Sequence, residues 1–168
     1  MSWSIDQMTI STEALAGFLD VKTETFRTWQ KRDGLLRDGA PGRGKAAAFG
    51  FAQCLKAYVA KQLNGIGANT GASAIFANHC DALGAFMAGK PLVVPFRDGK
   101  PSLVHDPERD MVLHLPLEES GLALADWFCH HIAAAIDPET GRPGGTEAYN
   151  AAKLDFEQRV NLHRLNAQ

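Results

Sequence analysis

The sequence predicts an α+β fold, helical toward both ends with a short antiparallel β meander between. Three observations predict it. Apolar residues recur at helical spacing in several windows, most regularly at Phe51, Cys54, Leu55, Tyr58, Val59 and Leu63. Two short apolar runs flank Arg97-Asp98-Gly99-Lys100, an Asp-Gly pair of the kind that closes hairpins. Gly65, Gly67 and Gly71, with Asn64, Asn69 and Thr70 among them, mark a boundary or linker between the two regions. At 168 residues with 45% hydrophobic content, the chain has material for one medium domain or two small ones.

In chain order, Ile10, Ala14, Leu15, Phe18 and Leu19 follow helical spacing, and Ser11 before them is a natural N-cap, so a short helix is expected from about Thr12 to Leu19. After the break at Asp20-Val21, Phe26 and Trp29 give a second helix one apolar face, and Gly34 ends it before Leu35. Its other face displays Lys22, Thr23, Arg27, Thr28, Lys31 and Arg32. Two short helices across a tight turn form a helix-turn-helix candidate. The segment Arg37–Lys45 is too rich in Gly and Pro for regular structure and reads as a hairpin tip. The third helix begins at Phe51.

The second region starts with a helix expected from about Ser73 to Ala88. Strands follow at Leu92–Phe96 and Ser102–His105, with Pro95 implying an edge position, and a third at Met111–Leu117. Leu122–Ile136 reads as a strongly apolar helix, Asp137–Gly145 as an exposed loop, and Thr146 to about Leu165 as a last helix. The apolar segment Leu122–Ile132 suits a dimer interface or the chain's own core equally well; as core, it would let Trp127 and Phe128 pack under the hairpin, and nothing in the sequence separates the two.

The net charge of -2 hides an asymmetry. Residues 1–67 carry nine Lys or Arg against six Asp or Glu, whereas residues 68–168 carry eight against thirteen. Residues 22–45 alone hold seven basic side chains to three acidic, so positive charge concentrates on the second helix and the Gly-rich tip.

Thr9-Ile10-Ser11-Thr12-Glu13-Ala14-Leu15-Ala16, Thr25-Phe26-Arg27-Thr28-Trp29-Gln30-Lys31-Arg32, Arg43-Gly44-Lys45, Phe49 and Leu55-Lys56-Ala57-Tyr58 occur in an order that resembles the MerR-like and excisionase-like winged helix-turn-helix domains. The DNA-binding domains of some phage small terminase subunits belong to that group. The resemblance covers about a third of the chain and implies an opening helix, a recognition helix, a wing and a packing helix. Thr28-Trp29 replaces the two adjacent aromatics common in MerR regulators, Asp33 stands as an extra residue before Gly34, and no long dimerising helix directly follows. The resulting division is 8–67 as a winged helix-turn-helix DNA-binding domain and 73–168 as a mixed α+β domain for dimerisation or contact with a protein partner.

The chemistry of duplex DNA assigns the roles. Flexible cations neutralise phosphates and release counterions, which nominates Arg43 and Lys45 on the wing and Lys31 and Arg32 toward the end of the recognition helix. Base edges are read from the early part of that helix, which nominates Thr23, Arg27 and Thr28, with Lys22 serving phosphate or base. One such module covers about half a turn of DNA, so a homodimer reading two half-sites is expected. The function expected is a sequence-specific transcription regulator of bacterial or phage-like type. A small terminase-type adaptor is the alternative, and a small metal-dependent enzyme the second.

No catalytic residue, metal ligand or cofactor is assigned. His79-Cys80 and Cys129-His130-His131 lack zinc-site spacing and lie in apolar helical runs. His105, Asp106 and His114 come with no nucleophile motif, and Gly42-Arg43-Gly44-Lys45 lacks the spacing of a phosphate loop. The three cysteines are expected to be reduced and buried. No segment approaches the roughly 20 apolar residues of a membrane span, and the N-terminus lacks a secretory pattern, so a cytoplasmic location is expected.

Overall fold

Ser11 opens the first helix as its chemistry requires: its hydroxyl accepts the Ala14 amide at 3.2 Å, and α1 runs Thr12–Phe18 with Leu15 and Ala16 buried. A single 3-10 turn, Ile5–Gln7, precedes it. The computed structural model describes residues 4–37, 46–137 and 139–167. Asp20, at φ 52, turns the chain into α2, Thr23–Arg32. Gly34, at φ 74, then lets the Leu35 amide reach back to the Trp29 carbonyl at 3.1 Å, closing α2 where the sequence expects its end.

Phe49 returns beside Ile10 as an antiparallel bridge, each amide donating to the other's carbonyl at 2.9 Å. The hairpin tip expected between them lies largely outside the described residues. Beyond the bridge, α3 spans Phe51–Gly65; the Gly50 amide donates to the Gln53 side chain at its start. Its buried stripe of Phe51, Cys54, Leu55, Val59 and Leu63 is the one the periodicity marks, with Tyr58 half-buried.

The helix expected over 73–88 is two helices. Asn69 accepts the Ala72 amide and starts α4, Thr70–His79; Asp81 accepts the Gly84 amide at 2.8 Å and starts α5, Ala82–Met87. Cys80 between them is extended, so a second capping aspartate outcompetes continuation of the first helix. The Gly- and Asn-rich stretch is correspondingly short, leaving Ile66–Asn69 between α3 and α4.

The sheet has three antiparallel strands, β1 Leu92–Arg97, β2 Lys100–Pro101 and β3 Met111–Leu115, in the order β2-β1-β3. Asp98 and Gly99, both at positive φ, form the two-residue turn that the Asp-Gly pair announces. The strand expected at Ser102–His105 is absent: Ser102 gives its amide to the Pro95 carbonyl, then its side chain ties to Val104 in a local turn that bends the chain away. The edge position expected for Pro95 is corrected as well, since β1 is the middle strand. The proline is tolerated because the β1–β2 ladder ends at Phe96 and Pro101: beyond it Pro95 only accepts, from the Ser102 amide at 2.8 Å, so its missing N–H breaks no ladder pair.

Two long helices complete the chain, α6 Glu118–Ala134 and α7 Gly145–Asn166. Leu124, Ala125, Phe128, Cys129 and Ile132 turn inward from α6, so most of the apolar segment offered as a dimer interface is the chain's own core. Phe128 and Trp127 do not lie under the hairpin. Phe128 packs edge-on against Phe51 at 5.8 Å, and Trp127 rests on Phe18 of α1 at 5.4 Å and on His131 at 4.2 Å. Phe51, Phe86 and Phe156 form the rest of this cluster, with centroids 5.3 to 6.0 Å apart, which unites α3, α5, α6 and α7. One apolar core therefore runs from Ile5 to Val160. Among the described residues, no helix is long and apolar enough to cross a membrane.

Candidate nucleic-acid interface

The disposition of α2 follows from its two rings. Phe26 is fully buried, edge-on to Phe49 at 6.1 Å and to Trp29 at 6.3 Å, and Trp29 is half-buried beside it. Burying that stripe turns Glu24, Arg27, Thr28 and Lys31 outward. The first-turn amides of α2 have no side-chain cap, because the N-cap position is Lys22. An exposed helix start that carries amides and a lysine is favourable to a phosphate.

Arg27 is shared between two carboxylates. It donates to Glu24 one turn earlier and to Glu13 on α1, each at 2.7 Å, with 44% of its side chain exposed. A backbone hydrogen bond, the Ser11 hydroxyl and Arg27 together hold the Glu13 carboxyl below the usual carboxylate range. These solvent-facing pairs contribute little and exchange readily. They park the guanidinium at the junction of α1 and α2, from which it can be handed to another acceptor.

Arg32 has a different occupation. It grips Asp33 with two nitrogens at 2.9 Å and donates to Thr70 at the start of α4 at 2.9 Å. Asp33, the extra residue before Gly34, is nearly buried, and the Arg32 fork holds its carboxyl below the usual range. Arg32 thus fastens α2 to α4, which the sequence does not announce. Thr28 donates its hydroxyl to the Glu24 carbonyl, leaving that oxygen available to accept. Lys22, exposed, and Thr23, half-buried, flank the helix start, and Lys31 is exposed near its end. Arg43 and Lys45 lie outside the described residues.

Asn78 of α4 holds the end of this unit. Its carbonyl oxygen accepts the Leu36 amide at 2.7 Å and its amide donates to the Gly34 carbonyl at 2.8 Å. Leu36 sits at φ 56, unusual for a branched apolar residue, and its burial together with the Asn78 bond keeps it there. Glu13, Asp33, Thr70 and Asn78 are thus the site's unforeseen members. The Glu24–Arg27 pair is a helical i,i+3 spacing and Arg32–Asp33 are chain neighbours, whereas the contacts of Glu13 with Arg27, of Thr70 with Arg32 and of Asn78 with Gly34 and Leu36 join residues far apart in the chain.

The histidine and cysteine groups do not assemble. Among the described residues no three His, Cys, Asp or Glu side chains are placed to hold a metal. Cys54, Cys80 and Cys129 are separate, reduced and buried, and burial pushes the Cys80 and Cys129 thiols up to about 11. His105 lies 3.7 Å from Asp110, a carboxylate already engaged by Arg97 at 2.8 Å, so this group is an ion-pair cluster that closes the sheet's end. Comparison with protein-family models, curated proteins and solved structures finds no match to this chain.

Proposed function

We propose that this protein is a sequence-specific double-stranded DNA-binding regulator of bacterial or phage-like type, with the outer face of α2 as its reading surface and two copies acting on paired half-sites. One observation carries the reading. Phe26 faces inward against Phe49 with Trp29 packed beside it, so Arg27, Thr28 and Lys31 project together on the face that runs from an uncapped helix start toward the helix end. The two-helix unit, the Ile10–Phe49 bridge and the packing helix α3 follow one another in the order that a winged helix-turn-helix requires.

In this mechanism Lys22 and Lys31 neutralise phosphates, the first-turn amides donate to phosphate oxygens, and together they set the helix over the major groove. Arg27 leaves Glu13 and Glu24 for the N7 and O6 acceptors of a guanine, a bidentate contact that discriminates by roughly 1 to 3 kcal/mol. Thr28 and Thr23 serve adjacent base edges. Arg43 and Lys45, reached through the Gly-rich segment, add contacts to the backbone. Arg32, held by Asp33 and Thr70, supports the surface.

The test is selection of bound duplexes from a random pool at two salt concentrations, for wild type and Arg27→Ala. The expected outcome is an enriched motif that flattens at one or two positions in the variant. A pool that never departs from random, at low salt as at high, refutes the reading.

A further inference from the structure

Glu24 is the one acidic residue of α2, and the helix sets it in the middle of the cationic face. At about 100° per residue, Arg27, Lys31, Glu24 and Thr28 spread in that order over about 100° of the helix surface, with Glu24 between Lys31 and Thr28. It stands one turn before Arg27, near the helix start from which base edges are read, and 82% of its side chain is exposed. Its Oε1 accepts one arm of Arg27 at 2.7 Å, and Glu13 on α1 accepts the other. Lowering Arg27 into a groove takes the Glu24 carboxylate with it.

An ionised carboxylate only accepts hydrogen bonds. Once Arg27 moves to a guanine, Glu24 loses that donor and faces base edges that are mostly acceptors themselves. Guanine shows N7 and O6, thymine shows O4, and adenine sets an accepting N7 beside its amino group, whereas the cytosine edge presents N4–H2 alone. A desolvated carboxylate without a donor is costly, so every base but cytosine is penalised where Glu24 lands. Glu24 and Arg27 lie three residues apart, about 4.5 Å along the helix axis against a base-pair rise of about 3.4 Å, which sets the two side chains over neighbouring base pairs.

We infer that Glu24 is a specificity-determining residue that accepts from cytosine N4–H2 in the base pair next to the guanine taken by Arg27. An ion pair closed on itself in the free protein thus opens into a two-position code, one residue donating to guanine and the other accepting from cytosine. Glu13, with 59% of its side chain exposed, returns to water. The inference rests on the DNA reading of α2 and adds to it what the half-site contains.

Selection of bound duplexes from a random pool, run on the full chain as wild type, Glu24→Gln and Glu24→Ala, tests it. Wild type is expected to enrich a guanine with a cytosine in the adjacent base pair. Glu24→Gln is expected to keep the guanine and exchange that cytosine for adenine, whose N6 and N7 suit the glutamine amide, and Glu24→Ala to level the position. In anisotropy titrations of two duplexes that differ there by cytosine to thymine, wild type is expected to discriminate by about 5- to 150-fold and Glu24→Ala by less than about twofold. A carboxylate that only steadies the first turn of α2, or only repels phosphates, moves the melting temperature or the affinity for every duplex alike and leaves the motif intact. A guanine-containing motif that lacks the cytosine, or that Glu24→Gln leaves unchanged, overturns this inference and leaves the DNA reading standing. A wild-type pool that stays random overturns both.

Discussion

Gly121 on α6 lies against the ring that joins the two ends of the chain, and replacing it with alanine gives a sharp test of that packing. A Cβ built at this position falls closer than 3.0 Å to Cδ2 and Cε2 of Phe86 and 3.1 Å from its Cγ. Ordinary carbon contacts are about 3.5 to 4.0 Å, so the ring or the helix must move. Phe86 has nowhere to go: it is buried, stacked on Phe156 at 6.0 Å and edge-on to Phe51 at 5.8 Å. Overpacking of this kind costs about 1 to 3 kcal/mol, and two close contacts on a wedged ring place it at the upper end. Alanine recovers up to about 1 kcal/mol of helix propensity, leaving a net loss of about 2 kcal/mol. For a chain of this size that lowers the melting temperature by about 4 to 8 °C in a circular dichroism melt. Gly17→Ala in α1 is the matched control, with nothing within 4 Å of its Cβ, and is expected to raise the melting temperature by up to about 4 °C. If Gly121→Ala melts at or above wild type, the account of the shared aromatic core is wrong.

Three further outcomes follow from the same geometry. Asn78→Ala removes both anchors of the Gly34–Leu36 turn and leaves the Leu36 amide unpaired, so urea unfolding should show a loss of about 2 to 3 kcal/mol; a loss under 0.5 kcal/mol contradicts the anchoring role. The Arg97 fork and the Asp106 amide hold the Asp110 carboxyl below its ordinary value, so its stabilising contribution is present at neutral pH and fades as pH falls through the ordinary carboxylate range, near about 4, toward the lowered value. Asp110→Asn should therefore flatten the acid limb of the melting temperature between pH 6 and pH 3, and an unchanged limb counts against the ion pair. Burial of all three thiols predicts negligible labelling by a thiol reagent at pH 8 in the native state and reaction of all three in denaturant; rapid native labelling would show that the interior is open.

The elements legible in the sequence are those fixed by local chemistry. Ser11 as cap, Phe26 and Trp29 as a one-faced stripe, Gly34 as a stop and the period of α3 all act within a turn or two of the chain, and the structure has each where it was expected. The misreadings arise where two local preferences compete or where distant contacts decide. Asp81 splits a helix whose apolar spacing runs straight through it, and Ser102 folds onto Val104 in a segment with the composition of a strand. Trp127 and Phe128 are large apolar residues in any reading, but their partners, Phe18 and Phe51, lie more than 70 positions away. At the candidate interface the cations were visible by type and spacing. Their restraints were not, since Glu13 meets Arg27 and Thr70 meets Arg32 only once the helices have packed.

The central claim is that the outer face of α2 lies against a duplex, and the salt dependence of DNA affinity for wild type and Lys31→Ala tests it most directly. Anisotropy titrations of one duplex over a series of salt concentrations should give wild type a steep negative slope of log affinity against log salt. Lys31→Ala should make that slope shallower by about 0.9, the contribution of one phosphate contact. A wild type with no affinity in dilute buffer, or a variant whose slope matches wild type, would contradict the account.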